Sequence, residues 1–263
     1  MSAETPEGTS PGPEAPAEPE RAVLAHRLTL PGVRAEPVDL DLPAGGLGVV
    51  VGPAGSGRTS LLLAAAGRMR PTGGTLTVLG HDLPRGAGAV RRQAALAEVR
   101  GVNELDDALT VEQHVAERLV LHRPWWKPWA TRAAVAAQLD RVAAVLTAAQ
   151  VDRTPLADLP PLRPQAFVSD IDPLERMVLG VVLALVGRPR LLVVDDVDAL
   201  RRTEDRALAW RALAVLTGPS GVTVLAAATS VDDLPDDVAR TVCAITPTTA
   251  GPRHLRPRHP EDR

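Results

Sequence analysis

A chain of 263 residues, 45% of them hydrophobic, can bury a sizeable core and suits one α/β domain carrying an inserted subdomain. Its formal net charge of -3 removes the electrostatic case for nucleic acid as the main partner. The single cysteine, Cys243, excludes an intrachain disulfide, and the six scattered histidines show no ligand spacing, so a structural zinc site is not expected.

Residues 1–21, rich in Pro, Glu, Ala and Gly, read as a disordered acidic tail. They lack the charged start and apolar middle of a secretory signal. Val23 to Leu30 and Val38 to Leu42 read as strands around a turn at Pro31-Gly32, a hairpin-like entry to the main sheet. Leu47 to Val51 is apolar at every position, the pattern of a central parallel strand buried on both faces. A glycine-rich loop follows, then a helix expected over Thr59 to Met69, and a further short strand at Thr75 to Leu79.

From about residue 104 to 170 the texture changes to helical, with Val111 to Leu121 and an alanine-rich stretch, Thr131 to Gln150, whose Val135, Leu139, Val142 and Leu146 recur at helical spacing. This is the candidate inserted subdomain. Its exit is punctuated by Pro155, Pro160, Pro161 and Pro164. A helix from Pro173 to Val186 has Asp172 at its N-cap and proline at its first position. Leu191 to Val194 is a second buried strand, ending in Asp195-Asp196; a helix, Glu204 to Leu216, and a strand, Val222 to Ala227, complete the alternation. Alternating units of this kind specify a mostly parallel α/β sheet. The segment 247–263 is polar and basic and reads as a flexible tail. The longest apolar run, Val178 to Gly187, is too short for a bilayer crossing of about 20 residues, so membrane association is expected through a partner.

The chemistry concentrates in Gly52-Pro53-Ala54-Gly55-Ser56-Gly57-Arg58-Thr59-Ser60. Glycines at this spacing, between a strand and a helix, form a P-loop, whose inward-turned amides and helix N-terminus hold phosphates. Thr59 supplies a hydroxyl for Mg2+, and Asp195, ending a buried strand downstream, is placed to hold the same ion through water. Arg58 stands where a P-loop has lysine. Its planar, longer head does not occupy the compact position of an ammonium. Lysine is scarce throughout, Lys127 being the only one, so composition alone is one account of Arg58.

Taken in order, these features resemble an ATP-binding cassette (ABC) ATPase over about residues 22–246. Ala44-Gly45-Gly46, Gly74 and Gly80, Leu109-Thr110-Val111-Glu112, Ala184 to Pro189, and Thr223-Val224-Leu225 leading to Thr229-Ser230 carry the resemblance alongside the P-loop and Asp195. It implies a P-loop NTPase core with an antiparallel N-terminal β subdomain and an inserted α-helical subdomain. It further implies binding of ATP and Mg2+, pairing with a second nucleotide-binding subunit, and docking on an integral membrane permease at the inner face of the cell membrane.

Against that pattern, several positions depart. The residue that positions the attacking water, a glutamate in the family, is Asp196 here. One methylene less shortens its reach by about 1.5 Å, and misplacement by about 1 Å can cost on the order of a hundredfold in rate. The switch histidine corresponds to Ser230. The LSGGQ signature aligns with Ile171-Asp172-Pro173-Leu174-Glu175, or a slipped register using Ser169. No aromatic residue stands where the family stacks adenine; His26 or Arg34 would serve instead, and Glu98 and Val99 fall near the expected Q-loop glutamine. The expectation is an ATPase of ABC type with slow hydrolysis, Asp196 and Ser230 being the catalytic candidates. A catalytically inactive nucleotide-binding module is the alternative. Trp125, Trp126 and Trp129 are read either as an exposed wedge for the permease or as a cap on a small alanine-rich core.

Overall fold

The computed structural model describes residues 20–97, 99, 101–126, 129–149, 162–219 and 221–247. Two sheets organise the described residues. β3 (Leu47–Val51), β6 (Ala94–Leu96), β7 (Leu191–Val194), β8 (Thr223–Ala228) and β9 (Thr241–Ala244) form a parallel sheet in the order β6-β7-β8-β3-β9. β1 (Arg21–Thr29), β2 (Val38–Pro43), β4 (Gly73–Val78) and β5 (His81–Asp82) form a separate antiparallel sheet ordered β2-β1-β4-β5. The first two strands therefore do not enter the main sheet as the hairpin pattern suggests. β1 pairs on its other edge with β4, and the alternating burial of β2, with Asp39 and Asp41 exposed, suits a sheet with one wet face.

The continuous apolarity of the parallel strands has a simple origin. Leu47, Val49, Leu192, Val194, Val224, Ala226 and Ala228 point into one core, and Val50, Leu191, Val193, Leu225 and Ala227 into another on the opposite face. The second core is shared with the antiparallel sheet and with α1 (Arg58–Ala65). The first is covered by α3 (Val111–Leu121), α4 (Arg132–Ala149), α5 (Pro173–Leu185) and α6 (Thr203–Val215). Both faces of β3, β7 and β8 are thus dry.

α1 stops at Ala65 rather than running on to Met69, because Gly67 adopts a left-handed conformation at φ 69°. The amides of Gly67 and Arg68 turn back to the carbonyls of Ala64 and Leu63, a Schellman closure that glycine accommodates without strain. Four further elements lie outside the sequence expectations: β5, α2 (Ala87–Gln93), the β6 strand that it feeds, and β9 on the far edge. The helical segment is entered through a capping box in which Thr110 and Gln113 satisfy each other's amides. The exit prolines Pro155, Pro160 and Pro161, and Gln150, lie outside the described residues. Arg21, placed in the acidic tail by composition, instead opens β1 and pairs with Asp41, while Pro247 still bridges to Ala35.

The tryptophans divide sharply. Trp210 on α6 is 1% exposed within the helical core, whereas Trp125, Trp126 and Trp129 are 85%, 61% and 59% exposed. The three clustered rings do not cap the alanine-rich core. Trp210→Ala should accordingly destabilise the fold by about 3–5 kcal/mol, and Trp125→Ala should stay within about 0.5 kcal/mol, as read from urea unfolding midpoints.

Candidate nucleotide site

The parallel strands end together, and the loops beyond their carboxyl ends build the site, as expected for an open α/β sheet. β3 lies between β8 and β9, with Val51 in register with Ala228 and Ala244. β8 in turn pairs with β7, bringing Val194 level with Ala226. The glycine loop after Val51, the carboxylates after Val194 and the Thr229-Ser230 pair after Ala228 are therefore neighbours.

Within the loop, Gly55 and Gly57 take left-handed backbone conformations. At Gly57 a Cβ would lie 2.5 Å from the Val33 side chain, and at Gly52 it would lie 2.6 Å from the Ser56 hydroxyl and 3.0 Å from the Ile245 carbonyl. Gly57 is also the N-cap of α1 and offers no side chain to the first-turn amides. Those amides and the positive end of the helix are left for an anion. Ser56 Oγ and one guanidinium nitrogen of Arg58 are buried and make no hydrogen bond among the described residues. Two orphaned donors beside an uncapped helix start fit the phosphates of a nucleotide.

Thr59, in the first turn of the helix, donates its hydroxyl hydrogen bond to Asp195 Oδ2 at 2.6 Å. A hydroxyl and a carboxylate in contact are suitable oxygen donors for Mg2+, which needs only one or two protein ligands when phosphates and water complete its shell. Burial pushes the Asp195 carboxyl above its usual range, the Thr59 hydrogen bond opposing this and the Asp196 charge adding to it.

Arg58 does not project freely. Its side chain is 11% exposed, with nitrogens 3.5 Å from Asp196 Oδ1 and 3.8 Å from Asp198 Oδ1. Asp196 is in the left-handed region at φ 46°, which aspartate tolerates better than most residues. Its amide hydrogen-bonds back to Asp195 Oδ1. Asp198 accepts the amide of Thr229 at 2.7 Å. One arginine and two aspartates thus tie the P-loop helix, the turn after β7 and the loop after β8 together.

The other expected residues are placed less centrally. Ser230 Oγ accepts the amide of Asp232 at 3.0 Å. Asp172 spends its carboxylate on the Leu174 amide in a capping box with Glu175, which is buried and whose carboxyl is raised by that burial. His26 is engaged by Asp39 on an exposed strand face, and Arg34 is exposed. Glu98 lies outside the described residues, and Val99 is buried. Sequence reasoning missed Val33 and Asp198 as parts of the site. Nothing in the sequence marks Val33, which sits over Gly57 only because two sheets meet there. A cavity of about 390 Å³ adjoins Asp195 and Asp196, walled on its far side by Pro173, Arg176 and Leu200.

Residues 35–199, more than half of the chain, match the family model described as ABC transporter. The chain belongs to the ABC transporter family. Among curated proteins it is 27% identical over 190 residues to the phosphonates import ATP-binding protein PhnC 2 of Synechococcus sp., covering 72% of this chain and 67% of that protein. It is 28% identical to the Fe(3+) ions import ATP-binding protein FbpC of Pseudomonas fluorescens (72% of this chain, 48% of the relative). With the daunorubicin/doxorubicin resistance ATP-binding protein DrrA of Streptomyces peucetius it shares 26% identity (87% and 63%). The chain therefore spans about half to two thirds of the length of these relatives. Among solved structures, cbiO1 from Clostridium perfringens superposes with a TM-score of 0.65 at 14% identity, covering 86% of this chain and 87% of that one. A bacterial Atm1-family ABC exporter with ATP bound gives 0.59 at 16% identity (88% and 40%). At these identities the likeness establishes the fold, a P-loop NTPase cassette.

Because burial raises the Asp195 carboxyl above the ordinary 3.8, its ionisation is disfavoured in the folded chain. The resulting cost is absent below the ordinary value, grows through the interval up to the raised value, and is full above it. In protein free of nucleotide and metal, Asp195→Asn should therefore raise the Tm at pH 7. That gain should shrink as the pH falls from the raised value towards about 3.8 and be lost below it, a comparison that calorimetry across pH measures directly.

Proposed function

We propose that the chain is the ATP-binding subunit of an ABC-type transporter, holding Mg-ATP at the P-loop and coupling its binding and slow hydrolysis to a separate membrane permease. The observation that carries this reading is the 2.6 Å contact of Thr59 with Asp195 at the mouth of a loop whose buried Ser56 hydroxyl and Arg58 nitrogen make no hydrogen bond among the described residues. In this reading Gly52 to Ser60 cradle the phosphates. Thr59 and Asp195 hold Mg2+, which neutralises charge developing on the transferred phosphoryl group.

Hydrolysis is slow for reasons internal to the chain. Asp196 would position the attacking water, but its short side chain sits on a left-handed backbone and is ion-paired to Arg58. Ser230 would contact the terminal phosphate, yet its hydroxyl already accepts the Asp232 amide and carries no charge. Asp172, capping α5, brings a carboxylate where the family uses glycine amides, which weakens closure of two subunits around nucleotide. The permease partner, and with it a location at the inner face of the membrane, is supported by family membership. Among the described residues no helix is long and apolar enough to cross a membrane. The exposed Trp125, Trp126 and Trp129 offer the kind of aromatic anchors that dominate protein interfaces.

Thr59→Ala and Asp195→Asn should each weaken Mg-dependent ATP binding by at least tenfold in equilibrium titration and abolish turnover. Arg58→Lys combined with Asp196→Glu should raise turnover above the parent in a phosphate-release assay. Binding that is retained with background turnover in both parent and double variant would instead mark a catalytically inactive module.

A further inference from the structure

Asp198 divides its carboxylate between two parts of the site. It sits in a short 3-10 turn, Val197–Ala199, entered through the left-handed Asp196 and closed by the Ala199 amide on the Asp196 carbonyl at 2.9 Å. From there Oδ2 accepts the amide of Thr229 at 2.7 Å, and Oδ1 lies 3.8 Å from Nη1 of Arg58. Thr229 is the first residue after β8 and precedes Ser230. One side chain therefore meets both the backbone of the loop that carries Ser230 and the cation at the start of α1.

The two contacts differ in kind. The first is a directed hydrogen bond from a backbone amide to a charged acceptor, among the stronger sort. The second is attraction without a hydrogen bond, because Nη1 of Arg58 is buried and makes none among the described residues. With the side chains of Arg58 and Asp198 only 11% and 23% exposed, water screens that attraction less than it would on an open surface. A second carboxylate, Asp196, holds Nη2 at 3.5 Å. The guanidinium is thus restrained by charge while an N–H donor stays unused, and its planar fork suits phosphate oxygens. Phosphate in the loop and Asp198 compete for one cation, whereas the Thr229 amide is bound to the other oxygen of the carboxylate.

We propose that Asp198 is a positioning residue that couples the phosphate loop to the Ser230 loop: its charge restrains Arg58 until phosphate draws the guanidinium away, and its hydrogen bond to Thr229 carries that change of partner to the backbone ahead of Ser230. The proposal rests on the reading of Gly52 to Ser60 as a phosphate cradle, and adds the residue through which the loop after β8 senses what the cradle holds. Coupling of this kind is reciprocal. If phosphate loosens Asp198 from Arg58, removing the charge of Asp198 must tighten the hold on phosphate.

Two replacements in the full chain separate the contacts. Asp198→Asn keeps an oxygen for the Thr229 amide and removes the charge, and Asp198→Ala removes both; Thr229 is exposed, so its freed amide meets water and neither variant need unfold. Without ligand, hydrogen exchange at the Thr229 amide should rise about tenfold in Asp198→Ala and stay within about twofold of the parent in Asp198→Asn. ADP in EDTA, titrated at equilibrium, should bind about threefold more tightly to Asp198→Asn than to the parent. That gain should vanish in an Arg58→Gln background, a dependence that a merely structural role at position 198 would not produce. ADP should also alter Thr229 exchange in the parent and leave it unaltered in Asp198→Ala. Thr229 exchange indifferent to Asp198→Ala, ADP binding that is not tightened by Asp198→Asn, or a gain that persists without Arg58 would each overturn the proposal alone. A parent that binds neither ADP nor ATP would overturn the nucleotide reading itself, and the coupling with it.

Discussion

The site rests on the pairing of β8 with β7 on one side and β3 on the other. Hydrogen bonds along these parallel ladders fix how far each strand projects, and so hold Thr59 and Asp195, 136 residues apart in sequence, within 2.6 Å. No local contact could achieve this, since one side chain lies at the start of α1 and the other in the turn after β7. The dry cores on both faces keep the ladders from slipping, because a shift by one residue would exchange the sets of side chains facing each core.

Above that frame, the electrostatics are arranged differently from what a lysine at position 58 would give. A guanidinium can lie between two carboxylates, and Arg58 does so, linking Asp196 and Asp198. The candidate general base thereby has a cationic neighbour in the absence of any ligand. Phosphate arriving at the loop must share that cation. Substitutions at Arg58, Asp196 and Ser230 look separate along the chain, but the first two meet in one ion-paired cluster, and the third stands apart with its own local hydrogen bond.

Much of this was legible in advance for physical reasons. β3, β7 and β8 announce themselves because strands buried on both faces must be apolar at every position, and α3 and α5 because their caps, Thr110 and Asp172, are written in side chains. The Thr59-Asp195 pair followed from the strand-loop-helix context. Other parts could not be read. α2 and β6 are too short to show periodicity, and Gly86 and Gly88 interrupt the pattern. β9 has exposed Val242 and Ala244 flanking the buried Cys243 at the sheet edge, so its apolarity is diluted. The partners of Arg58 depend on the left-handed turn at Asp196, and Val33 reaches Gly57 only through the meeting of two sheets; neither leaves a mark on local sequence.

The alanines of β8 have a mechanical consequence. Ala226, Ala227 and Ala228 are fully buried at the middle of the sheet, and with nothing beyond Cβ they make the sheet thin at that place, so that α1 rests close against it. The depth of the phosphate cradle is then a matter of clearance. A methyl group added to the α1-facing side of this strand acts as a shim, lifting the helix that carries Thr59 away from the strand end that carries Asp195. The reach between two oxygen donors is governed here by how little stands underneath them.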